Sequence, residues 1–183
     1  MTLALTIGLR FGMRAVAWMM TGELIGVGLV ASLSAVGVAT ILLSQPWLFN
    51  SFKLAGGAYL MFIGVQMWRA KGKFALSETS VQNLSQSPFS LASQGFTTAI
   101  ANPKGWAFFV ALLPPFLDAE KNMFSQLSIF VLIILGLEAL CLMLYGAGGK
   151  TLSHFLNKET HRQTLNRISG GLLAGVGIWL MLS

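Results

Sequence analysis

Three ionisable residues, Glu23, Lys104 and Glu138, stand inside long apolar stretches of this chain, and a proline adjoins one of them. A charged side chain deep in hydrocarbon costs about 2.5–3.5 kcal/mol on insertion scales, so each must face a packed interior or water. A carboxyl enclosed by apolar groups is easier to protonate than one in water, which suits reversible proton uptake. Asn102-Pro103-Lys104 falls within the apolar run from Phe89 to Leu117. Proline removes a backbone donor and clashes with the preceding turn, so a helix through this point must break or kink. Carbonyls released at a break can bind an ammonium, and the start of the following half-helix can bind a carboxylate. An amino acid carries both groups. Two plainer alternatives stand beside this: a helix that begins at Pro103 with Lys104 reaching a headgroup, or glutamates that serve only as structural ion-pair partners of Lys104. Thr97 and Thr98 add hydroxyls near the break, where bonding back to their own helix is the expectation. Tyr145 lies seven positions after Glu138, on roughly the same helix face, and reads as an interfacial anchor.

The elements that position these residues are set by composition. Of 183 residues, 55% are hydrophobic and 10% are charged, with a mean hydropathy of +0.71. A soluble domain carries roughly 25% charged residues, so the chain reads as an integral membrane protein. Five apolar segments approach or exceed the roughly 20 residues needed to cross a bilayer. They are Ala17–Leu43, Leu48–Trp68, Phe89–Leu117, Leu127–Tyr145 and the short Ile168–Leu182. Leu3–Ile7 is too short for a secretory signal and has no basic leader, so nothing reads as cleavable. The expected fold is an all-α, polytopic membrane helix bundle of about five transmembrane helices. It forms a single domain over 1–183, broken at Asn102-Pro103-Lys104, with cytoplasmic loops at 70–88 and 150–167.

The net charge of +6 reports topology rather than nucleic acid. Arg10 and Arg14 precede the first span; Arg69, Lys71 and Lys73 follow the second; Lys150, Lys158, Arg162 and Arg167 separate the last two. The other connections are poor in basic residues, and the alternation places the amino end inside and Ser183 outside. Asn83-Leu84-Ser85 fits a glycosylation sequon but falls in an inside loop, and is discarded. Trp47 and Trp68 are separated by about 31 Å of helix, which matches the two interfaces of one bilayer. Cys141 is the single cysteine, so no intramolecular disulfide or cysteine zinc site is available. His154 and His161 are too few for a metal site, and neither a metal nor a cofactor is expected.

Segments of the two halves resemble one another. Lys53-Leu54-Ala55-Gly56-Gly57 is matched by Arg167-Ile168-Ser169-Gly170-Gly171, and Thr21-Gly22-Glu23 by Gly136-Leu137-Glu138. Glu23 precedes Gly56 by 33 positions and Glu138 precedes Gly170 by 32. One span of each matched pair starts inside and the other outside, so the repeat is an inverted one, a common plan for secondary transporters. The mate of Asn102-Pro103-Lys104 would fall before Met1, so the repeat expects a first half short of one helix.

Gly57-Ala58-Tyr59-Leu60 with Gly64, Gln94-Gly95-Phe96, Asn102-Pro103-Lys104, Phe108-Phe109 and Pro114-Pro115-Phe116 together resemble the lysine-exporter superfamily. The nearest branch is that for homoserine, threonine and related amino acids. The resemblance covers nearly the whole chain. It implies a bacterial inner-membrane protein of about six helices that exports amino acids or their derivatives using the proton gradient. The Pro-Gly-Pro element that the family carries in its first helix has no counterpart here, which agrees with the gap in the repeat.

The expected function is therefore export of amino acids or their derivatives, with Glu23, Asn102, Pro103, Lys104 and Glu138 binding substrate or the coupling proton. A truncated relative that acts as a partner subunit or does not transport is the alternative. Metal-cation export is disfavoured because the intramembrane ligands number only two carboxylates and a thiol. No nucleophile–base pairing or phosphate-binding glycine loop suggests an enzyme. The expected partners are a small amino acid, protons and lipid, and no nucleic acid. Gly171 and Gly175 would serve a homo-oligomer or an internal helix contact equally well.

Overall fold

Prolines punctuate the chain. Proline lacks the N–H that a helix start leaves unused, so it is favoured as the first helical residue. Pro46 opens α3 (Pro46–Arg69), Pro88 opens α4 (Pro88–Ile100), Pro103 opens α5 (Pro103–Leu112), and Pro114 opens a short 3-10 turn (Pro114–Phe116). At α4 the Ser87 hydroxyl accepts a hydrogen bond from the Ser90 amide at 3.2 Å, a side-chain N-cap. The remaining helices are α1 (Thr2–Phe11), α2 (Met13–Ser44), α6 (Met123–Asn157) and α7 (Glu159–Leu182). The computed structural model describes residues 2–44, 46–70, 87–118, 120–157 and 159–182, and no strand occurs among them.

α1 and α2 are separated by Gly12 alone, whose φ of 78° is the left-handed conformation that ends a helix at low cost only with glycine. Its amide donates to the Gly8 carbonyl at 3.2 Å. α1 was not expected as an element. Its ten residues are too short to register as a span, yet Ala4 and Ile7 are fully buried.

Among the described residues, three helical stretches are long and apolar enough to cross a membrane: Met13–Ile41, Met123–Gly148 and Gln163–Leu182. The third expected span is divided, as the proline required, into α4 and α5. The connection expected at 150–167 is largely helical, because α6 continues to Asn157 and α7 begins at Glu159. Within the loop expected at 70–88, residues 71–86 lie outside the described residues, and with them Lys71, Lys73 and Asn83-Leu84-Ser85. Lys158 and the side chains of Lys150, His154 and Arg162 lie outside them too.

The chain divides into two compact units. The first comprises Met1–Leu29, Lys73–Asn102 and Leu132–Lys158, and the second Val30–Gly72, Pro103–Val131 and Glu159–Ser183. The core of the first joins Ala4 and Ile7 of α1, Val16 and Met19 of α2, Leu91 of α4 and Leu142 of α6. In the second, Leu60 of α3, Ala111 of α5 and Leu180 of α7 form one buried cluster, and Ala35, Val38 and Leu113 another. Large apolar side chains remain exposed along the long helices, among them Ile133, Leu137, Leu140 and Leu144 of α6. Such a stripe is what a lipid-facing helix presents, since lipid is as apolar as leucine.

Candidate functional site

Small residues let α2 and α4 approach until their backbones touch, and Glu23 lies at the point of closest approach. A Cβ at Gly22 would fall on the Ala92 carbonyl, and one at Gly26 would come within 2.7 Å of the Ala99 Cβ. A Cβ at Gly95 would fall on the Met19 carbonyl and lie 2.8 Å from the Glu23 amide nitrogen. Ala92, Gly95 and Ala99 thus form a smooth face on α4 at helical spacing. Reading the charges alone missed this face, although small residues at that spacing were its visible signal. Gly22 and Gly26, four positions apart on α2, are both used for this contact within the unit.

Glu23 is buried, with a relative exposure of 6%. It is engaged in interactions of its own, while its Oε2 atom makes no hydrogen bond among the described residues. Glu138 is half-buried on α6. It shares a helix face with Leu135 and Leu142, and that face is turned to α2. The contacts are direct: a Cβ at Gly28 would meet Leu135 at 3.5 Å, and one at Gly146 would meet Val16 at 2.6 Å. These pairs make α2 and α6 antiparallel and place position 23 opposite about 139–140. Glu138 is therefore at the level of Glu23.

At the break, the Ala101 amide donates to Thr97 O at 2.8 Å and the Asn102 amide to Ala99 O at 3.4 Å, which closes the end of α4. Thr98 Oγ1 donates to Gln94 O at 2.7 Å, the back-bond expected for it. Asn102 is the last residue of its segment in the first unit, whereas Pro103 and Lys104 begin a segment of the second. All three side chains are exposed, and Asn102 and Lys104 both make further interactions. Of the five candidates, the structure brings together Glu23 and Glu138. Tyr145 packs against the core that contains Ile7 and Val16, and Cys141 is half-buried. Among the described residues, no group of three or more His, Cys, Asp or Glu is placed to hold a metal ion.

The turn before α6 is held by its own side chains. Asp118 pairs with Lys121 at 2.9 Å and accepts from the Glu120 amide at 3.0 Å. Gln126 Nε2 donates to Asp118 O at 2.9 Å, and the Asp118 amide donates to Gln126 Oε1 at 2.9 Å. The hydrogen bond from Lys121, then that from the Glu120 amide, hold the Asp118 carboxyl below its usual range.

Comparison with known proteins agrees with this architecture. The family model described as LysE type translocator matches residues 1–183. A homoserine/homoserine lactone efflux protein of Salmonella typhi is 27% identical over 176 residues, covering 96% of this chain and 84% of the relative. A threonine efflux protein of Escherichia coli strain K12 is 30% identical over 161 residues, covering 86% and 77%. An uncharacterized membrane protein of Vibrio cholerae is 26% identical over 173 residues, covering 94% and 83%. No solved structure matches the chain. With a family model spanning its length and apolar helices fit to cross a bilayer, the chain is a multi-pass membrane protein and belongs to the LysE-type translocator family.

Proposed function

We propose that the chain exports amino acids or close derivatives, and that Glu23 and Glu138 take up and release the coupling proton. The observation that carries this reading is that the α2–α6 register sets two carboxyls at one level of the antiparallel pair, within one unit. Two like charges so placed oppose double ionisation, so the protonation of one is tied to that of the other. A charge at depth that one proton can switch is what a proton-driven cycle requires.

The substrate class is supported by the relatives named for efflux of homoserine, homoserine lactone and threonine. Their chemistry suits the break. The amino end of α5 carries the positive end of a helix dipole, which favours a carboxylate. Lys104 adds a positive charge there.

The test is transport by the purified chain in liposomes under an imposed pH gradient, with labelled threonine or homoserine. Glu138→Gln keeps the side-chain shape and removes its titration. Gradient-driven efflux should fall about tenfold or more, while exchange of substrate at equal pH persists. Wild-type transport indifferent to the pH gradient would sink the coupling role, and no transport of either amino acid would sink the substrate class. In Glu138→Gln/Lys104→Met, full recovery of gradient-driven efflux would rule out Glu138 as the proton carrier.

A further inference from the structure

α3 and α7 form a close antiparallel pair, and their register brings two arginines to the same end. Gly57 meets Gly177, Gly64 meets Gly170, and the Trp68 ring lies 3.2 Å from where a Cβ on Gly171 would be. At this end of the pair Trp68, Arg69, Ala70, Gln163 and Arg167 line a cleft of about 370 Å³. All five belong to the second unit. Arg69 and Arg167 are exposed, and neither makes an ion pair among the described residues. Two guanidiniums in one cleft repel, and an anion between them turns that repulsion into two attractions. Their planar forks match phosphate oxygens two at a time.

We propose that this cleft binds a phosphate-bearing anion, supplied by the headgroup of an anionic phospholipid. A soluble anion would need the guanidiniums alone, but the surroundings continue as a lipid would. On α7, Leu165, Ile168 and Leu172 form an exposed apolar strip that adjoins Arg167 and runs away from the cleft. On α3, Val65 and the Trp68 ring are exposed beside Arg69. An aromatic ring at a helix end, a basic cleft and an apolar strip leading into the bilayer are what headgroup, glycerol and acyl chain require in turn. Lipid in the cleft would also cover the seam between α3 and α7.

The experiment is native mass spectrometry of the full chain in non-ionic detergent. It is titrated with phosphatidylglycerol, with phosphatidylcholine of the same acyl chains, and with inorganic phosphate. The wild type should retain one phosphatidylglycerol with about tenfold preference over phosphatidylcholine. Arg69→Gln/Arg167→Gln should reduce that preference to none. Arg10→Gln/Arg14→Gln, which removes the same charge elsewhere, should keep it. The single variants Arg69→Gln and Arg167→Gln should each show a partial loss, and they decide the matter should the double variant fold poorly. Equal retention of the two lipids by the wild type would overturn the proposal, as would undiminished preference in the arginine variants or equal loss in the control pair. Displacement of phosphatidylglycerol by millimolar inorganic phosphate would assign the cleft to a free anion instead.

Discussion

A Cβ added at Gly64 would lie 2.5 Å from the Gly170 carbonyl oxygen, and one at Gly170 would lie 2.5 Å from the Gly64 carbonyl oxygen. The contact is reciprocal, backbone on backbone, and neither partner has a flexible end that could yield. Gly64→Leu or Gly170→Leu should therefore destabilise the α3–α7 pair by about 1–3 kcal/mol, read by thermal unfolding in detergent. Gly175 meets nothing within 4 Å, so Gly175→Leu should stay within about 0.5 kcal/mol of wild type. Equal losses at Gly64 and Gly175 would show that the close approach is not what holds the pair.

Pro103→Ala should let the helix run through from α4 to α5, because it restores the missing donor and removes the clash with the preceding turn. Abundance in the membrane should be unchanged while export falls about tenfold or more. Undiminished efflux at equal abundance would make the interruption architectural only.

The Asp118 carboxyl is held low by the Lys121 hydrogen bond and the Glu120 amide. A depressed carboxylate contributes stability that is fully present above its unfolded pKa and fades as pH falls through its folded one. The stability difference between wild type and Asp118→Asn should accordingly be flat from about pH 8 to 5 and shrink below about pH 4. Lys121→Met should move the Asp118 titration, followed by carboxyl NMR, back toward the ordinary range. An unmoved midpoint would sink the assignment to Lys121.

The alternation of basic connections predicts an inside amino end and an outside carboxyl end. Reporter fusions at Ser80, Asn122, Lys158 and Ser183 should read inside, outside, inside and outside. An inside Ser183 would overturn that arrangement.

The helix break was legible at Asn102-Pro103-Lys104 because proline acts through its own covalent structure, whatever surrounds it. The long apolar helices were legible because hydropathy over some twenty residues is a local sum. α1 was not, because ten residues give too short a sum and the burial of Ala4 and Ile7 depends on neighbours distant in sequence. The polar stretch around Lys150 and His154 read as a loop, although helix continuation depends on backbone hydrogen bonds as well as on hydropathy. Glu23 and Glu138 were each visible as charges out of place. That they share a level follows from the α2–α6 register, set by Val16 against Gly146 and Gly28 against Leu135. Arg69 was read as a marker of orientation, and Arg167 as that and as part of the repeat, since a cleft exists only once two helices are packed.

Leu137 and Glu138 are adjacent in sequence and point about 100° apart on α6. Leu137 continues the exposed stripe with Ile133, Leu140 and Leu144, while Glu138 is turned to α2. A roll of α6 by one residue's angle would put the carboxyl into hydrocarbon, at a cost of about 2.5–3.5 kcal/mol if it stayed charged. Sliding or tilting of the helix exacts no such exchange of faces. Of the movements open to a rigid rod, α6 retains those that keep its azimuth, and the one glutamate acts as its keel.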